Sequence, residues 1–159
     1  MGASHWALSM RFAATPTAVR TALLAVDGGL ANAGAADNLR ARAQIALAEA
    51  CNNIVEHAYK SDVAIADPFI QLDIAGDAGG LQVTLRDRGR PMPDGPLPGR
   101  ELPPLDPCEL TDLLEGGFGW ALLRDMARAI SMSRRNGHNI LRFRLPLSDR
   151  PGPFSRIVT

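Results

Sequence analysis

Apolar and polar positions alternate in short runs near both ends of the chain and follow a helical period between them. Residues 6–12 (WALSMRF) alternate and include aromatics, which predicts an edge strand. Thr15-Pro16 opens a helical stretch, with Thr15 placed to cap it and Pro16 at its first position. Residues 17–30 are rich in Ala, Leu and Val, and Gly28-Gly29 weaken the end. Residues 32–36 read as a turn, and Asp37 is placed to cap a long helix over 38–59 that contains no Gly or Pro. Two alternating runs follow, 69–75 (FIQLDIA) and 81–85 (LQVTL), joined by a Gly/Asp-rich hairpin loop at 76–80. A further apolar helix is expected over 120–129, then a closing hairpin of 130–134 and 140–145 around Asn136-Gly137.

The order β-α-α-β-β-loop-α-β-β places strands in hairpins, not singly between helices. It predicts an α/β two-layer sandwich, a mixed or antiparallel sheet with helices on one face. At 159 residues, one domain is expected over 1–150, with residues 151–159 as a loose tail. Composition refines this picture in three places. First, Lys+Arg and Asp+Glu balance at 17 each, which argues against a globally basic surface for nucleic acid or membrane and leaves room only for a local patch. Second, no apolar run approaches the roughly 20 residues of a membrane span, and the N-terminus lacks a secretory pattern. With only two Cys, a cytoplasmic, reducing location is the expectation. Third, seven of the 12 prolines (91, 93, 96, 98, 103, 104 and 107) fall in one segment, residues 88–115. Such a segment forms neither a continuous helix nor a central strand, and a long loop in a compact domain is usually functional or disordered.

Three places could carry chemistry. In the second helix, Leu47, Ala48, Cys51, Ile54, Val55 and Ala58 share one face, with Glu49, Asn52, Asn53, Glu56 and His57 opposite. This fits an ordinary amphipathic helix. However, Asn occurs twice although it is a poor helix former, and Glu49, Asn53 and His57 stack at i, i+4, i+8. That column offers an oxygen ligand for Mg²⁺ and a carboxylate base beside it. The second place is Asp87-Arg88-Gly89-Arg90-Pro91, at the end of a strand. It suits a plain turn, or an Asp that accepts from a ligand's exocyclic amine with Gly89 allowing close approach. The third is Gly116-Gly117-Phe118-Gly119 before a helix. It suits a flexible helix start, or free N–H groups for a phosphate. No P-loop Gly-Lys-Ser/Thr follows it, and no strand leads into it as in a dinucleotide fold.

The string 47–60 (LAEACNNIVEHAYK) resembles the N-box of the GHKL, histidine-kinase-like (Bergerat-fold) ATPases. More narrowly, it resembles that of the anti-sigma-factor serine/threonine kinases of bacterial partner-switching systems. Residues 87–91 are similar to the Asp-x-Gly adenine box of these proteins, and 115–124 to their second glycine box. The resemblance implies a Bergerat-like fold that binds ATP and Mg²⁺. It implies Glu49 as general base, Asn53 as Mg²⁺ ligand and Asp87 as acceptor of the adenine amine. Gly89 and Pro91 would lie at the base, Gly117, Phe118 and Gly119 at the phosphates, and residues 88–116 would form an ATP lid. His57 and Lys60 would support the phosphate end. Residues 127–130 (ARAI) depart from the Met-Asp-Glu-Val common in the family, which bears on partner contacts.

The resulting expectation is a protein serine/threonine kinase that phosphorylates a STAS-domain antagonist and holds a sigma factor or other regulator. A homodimer is implied by the same resemblance, with no nucleic acid or membrane partner. A catalytically inactive, nucleotide-binding sequestering module is the alternative. A two-component histidine kinase is disfavoured, because this sequence shows no dimerisation helix with a phospho-accepting His.

Overall fold

The computed structural model describes residues 5–59, 66–91 and 119–147, with 119–121 as backbone only. The elements run β1 (Trp6–Ala13), α1 (Pro16–Asn32), α2 (Asp37–Asn53), a π-helical turn (Ile54–Ala58), β2 (Phe69–Asp77) and β3 (Gly80–Asp87). They continue with α3 (Gly119–Met126), β4 (Arg128–Arg135) and β5 (His138–Pro146). The strands form one sheet in the order β1-β2-β3-β5-β4, with every neighbouring pair antiparallel. The sheet is therefore antiparallel, not mixed.

Strand alternation decides which face is covered. Ile70, Leu72 and Ile74 of β2, Val83 and Leu85 of β3, and Leu141, Phe143 and Leu145 of β5 are buried. They pack with Val26 and Leu30 of α1, Leu47 and Cys51 of α2, and Leu123 of α3 in one core. Each such large side chain contributes about 1.5–3 kcal/mol by leaving water. Burial also pushes the Cys51 thiol up to about 12, so it packs as a neutral apolar group.

Helix α1 starts as expected: Thr15 Oγ1 accepts from Ala18 N at 3.2 Å, and Pro16 is the first helical residue. It does not stop at Gly28-Gly29. A Cβ at position 29 would lie 3.1 Å from the Trp6 ring, so that glycine admits the indole of β1. The helix runs to Asn32 and is closed just beyond it by Gly34, φ 81°, where Gly34 N bonds Ala31 O and Ala35 N bonds Leu30 O, a Schellman closure. Asp37 is the first residue of α2 and not its cap, since Ala36 holds the cap position without a side-chain bond.

Two boundaries differ from expectation, the end of α3 and the start of β4, which begins at Arg128 and not at 130. The helix expected over 120–129 ends at Met126; Ala129 takes φ 53° and the β4–β5 pairing shifts register between Arg128 and Ser131. The final turn behaves as its sequence predicts, with Asn136 and Gly137 at φ 51° and 76°. At the other end of β5, buried Arg42 of α2 donates to the Pro146 and Leu147 carbonyls at 2.7 and 3.2 Å. Among the described residues, no helix is long and apolar enough to cross a membrane.

Candidate functional site

The predicted residues divide between the end of α2 and the turn after β3, and the structure brings these two places together. Helix α2 does not run on to Tyr59 as an α-helix. After Asn53 the ladder widens to a π turn over Ile54–Ala58, closed by Tyr59 N on Ile54 O at 3.3 Å. Single π turns inside helices are often found at functional sites. This one carries Ala58 to the Asp-x-Gly turn, where the Ala58 carbonyl accepts from Arg90 N at 2.7 Å. Beside it, the Tyr59 hydroxyl donates to Phe69 O at 2.8 Å and accepts from Arg88 N at 2.8 Å.

That contact supplies a packing reason for Gly89. A Cβ there would collide with the Ala58 carbonyl and lie 2.5 Å from the Ala58 Cβ. No larger side chain fits while the turn sits against the helix end.

Asp87, the last residue of β3, is buried at 3% exposure. Its Oδ1 accepts from Gly89 N at 2.8 Å and from Asn139 Nδ2 at 2.9 Å. Its Oδ2 takes no hydrogen bond from a described residue. Burial pushes the Asp87 carboxyl above its ordinary value, while those two bonds and the nearby Arg134 and His138 charges pull the other way.

On α2, Glu49 is half-buried and its carboxyl lies above its ordinary value, through burial first and the Glu56 charge second. Asn53, also half-buried, donates Nδ2 to the Glu49 carbonyl at 2.9 Å. That bond leaves its amide oxygen as the group a cation would meet. His57 lies within the π turn and is exposed, so the i, i+4 spacing that aligned it with Glu49 holds only as far as Asn53. Pro91 is exposed at the end of the turn.

Gly119 begins α3, which packs against α2. Gly117, Phe118, Lys60, the rest of the expected lid to 116 and the tail 151–159 lie outside the described residues. A groove of 290 Å³ between α1 and α2, lined by Arg20, Leu24, Gln44 and Asn52 among others, includes neither Glu49 nor Asp87.

Sequence reasoning missed two participants. Asn139 is buried opposite Asp87 in the β3–β5 register, and Arg134 stands opposite Asn139 in the β4–β5 register. The Asn136-Gly137 turn was the available signal, because counting back from it along both strands pairs these positions.

The serine-protein kinases RsbW of Staphylococcus aureus strains Newman and Mu3 are each 28% identical to the chain over 134 residues. The match spans 84% of this chain and 82% of each of theirs. A crystal structure of the RsbU and RsbW domains of Rv1364c from Mycobacterium tuberculosis superposes with a TM-score of 0.56 at 22% identity. It covers 92% of this chain but 33% of that longer one, and it supports the fold. The histidine kinase-like ATPase domain family matches residues 12–145, a span that runs from the end of β1 into β5 and includes both α2 and the turn after β3, and the chain belongs to that family.

Proposed function

We propose that the protein is an ATP-dependent serine/threonine kinase of a partner-switching system, with a STAS-domain antagonist as substrate. The observation that carries this reading is the docking of the Asp-x-Gly turn, through Arg90 N on Ala58 O, onto the helix that bears Glu49 and Asn53. A base acceptor and a half-buried carboxylate thus share one rigid unit, as a nucleotide spanning the two would require. The kinship with the RsbW kinases supports it further.

In this reading Asp87 Oδ2 accepts the adenine 6-amino group, with Gly89 and Pro91 at the base. Gly117, Phe118 and Gly119 offer backbone N–H groups to the phosphates, and His57 lies toward that end. Glu49, with its raised basicity, orients the antagonist's Ser or Thr hydroxyl and takes its proton as that oxygen bonds phosphorus and ADP departs. The donor chemistry at Asn53 suits Mg²⁺: its amide nitrogen is engaged by Glu49 O, which presents the hard oxygen to a cation. Mg²⁺, when bound, offsets phosphate charge. Phosphorylation places a doubly charged group on the antagonist's contact surface, which separates the complex and frees the kinase for a sigma factor or other regulator.

Incubating the protein with γ-labelled ATP, Mg²⁺ and a candidate STAS protein tests this. Label on a Ser or Thr of the STAS protein is expected. Nucleotide binding without any transfer would instead support the inactive sequestering module. The protein is read as a homodimer in a reducing, cytoplasmic setting, which light scattering and cell fractionation check.

A further inference from the structure

We propose that Asn139 and Arg134 are positioning residues that hold Asp87 as an ionised hydrogen-bond acceptor, so that the site selects a 6-amino purine over a 6-oxo purine. This rests on the reading of the site as a nucleotide pocket.

The basis is a row of side chains across three strands: Asp87 of β3, Asn139 of β5 and Arg134 of β4 stand directly opposite one another. Arg134 has only donors to give. One of its terminal nitrogens lies 3.0 Å from Asn139 Oδ1 and 3.1 Å from Gly89 O. Asn139 must therefore turn its oxygen to Arg134 and its Nδ2 the other way. There Nδ2 meets two acceptors, Asp87 Oδ1 at 2.9 Å and Arg90 O at 2.7 Å. The amide orientation, usually ambiguous, is settled by its neighbours.

The consequence falls on Asp87. A hydroxyl beside it could donate or accept, and so would tolerate either protonation state of the carboxyl. An amide NH₂ held in place by Arg134 can only donate. Gly89 N also donates to Oδ1, and these two donors, with the Arg134 guanidinium behind Asn139, favour the ionised carboxylate over the acid, so Oδ2, which is left for the ligand, accepts. A 6-amino group satisfies Oδ2. A 6-carbonyl brings lone pairs against lone pairs, which in a buried site is an uncompensated polar contact.

The test is a calorimetric titration of the full chain with ATP and, separately, ITP. ITP differs from ATP by a carbonyl in place of the amine. The wild type is expected to prefer ATP by about tenfold or more, the equivalent of one hydrogen bond to a charged group. In Asn139→Leu, and in Arg134→Met on the exposed edge strand, the ATP/ITP ratio is expected to fall several-fold. Arg134→Lys keeps a donor and is expected to restore part of it. A role limited to holding the fold would weaken both nucleotides together and leave the ratio alone. An unchanged ratio in Arg134→Met, which does not disturb the core, overturns the proposal even if Asn139→Leu fails to fold. A wild type that binds ATP without preference also overturns it. A wild type that binds neither nucleotide overturns the nucleotide reading, and this inference with it.

Discussion

The two ends of the candidate site are built differently. At the sheet end, Asp87 is buried, carries two hydrogen bonds on one oxygen and belongs to a row continued by Asn139 and Arg134. At the helix end, Glu49 is half-buried and no described residue bonds its carboxylate, while Asn53 is tied back to its own helix. Strand register places the first set before any ligand arrives, so it suits recognition of a rigid base. The second set keeps free oxygen atoms, so it suits a moving phosphoryl group and a cation. The π turn joins the two, because Ala58 is both the end of the helix and the seat of the Asp-x-Gly turn.

The sharpest way to break this contrast is Asp87→Asn. It keeps the shape but removes the charged acceptor, and it sets an amide against the Asn139 amide. ATP affinity is expected to fall roughly 10–100-fold, from the worth of a charge-assisted hydrogen bond, as read by calorimetry. Retained affinity would mean that the base sits elsewhere.

Gly89→Ala addresses the joint between the ends. Its methyl must displace Ala58, which costs about 1–3 kcal/mol of overpacking. Thermal melting should show a loss of several degrees, and ATP binding should weaken because the turn that holds Asp87 moves. Tyr59→Phe is milder. It removes the hydroxyl that bridges Phe69 O and Arg88 N, worth about 0.5–1.5 kcal/mol in denaturant unfolding.

The smallest effect lies away from both ends. The Arg144 guanidinium and the Gly79 amide hold Asp77 down at about 2 from an ordinary 3.8. A depressed carboxyl stabilises the fold above its unfolded value, and this is lost as pH falls through the folded one. The melting temperature should therefore decline slightly more between about pH 4 and pH 2 in the wild type than in Asp77→Asn. The pair is exposed, so salt should shrink the difference.

Much of this arrangement is legible in the chain itself. The alternating runs locate β1, β2 and β3, Thr15-Pro16 marks the start of α1, and Asn136-Gly137 marks the hairpin of β4 and β5. These signals are local, since alternation, capping and positive φ depend on neighbours in sequence. Glu49, Asn53 and Asp87 stand out in the chain by their spacing and by the resemblance of 47–60 and 87–91 to the N-box and the Asp-x-Gly box. The π turn does not, because nothing in IVEHA differs from an ordinary helix. It follows from the docking of Ala58 on Arg90, 32 positions away in sequence. Asn139 was hidden likewise, since its importance depends on register with β3. Gly29 misled as a helix terminator because its role is to admit Trp6, a tertiary contact that overrides propensity.

The central claim is that affinity resides at Asp87 and rate at Glu49. Single-turnover phosphoryl transfer to a candidate STAS protein at saturating Mg-ATP, comparing wild type with Glu49→Gln, tests it most directly. The account predicts a rate about 10²–10⁴-fold lower, the usual worth of a general base, with ATP affinity preserved. Transfer by Glu49→Gln at the wild-type rate would contradict it.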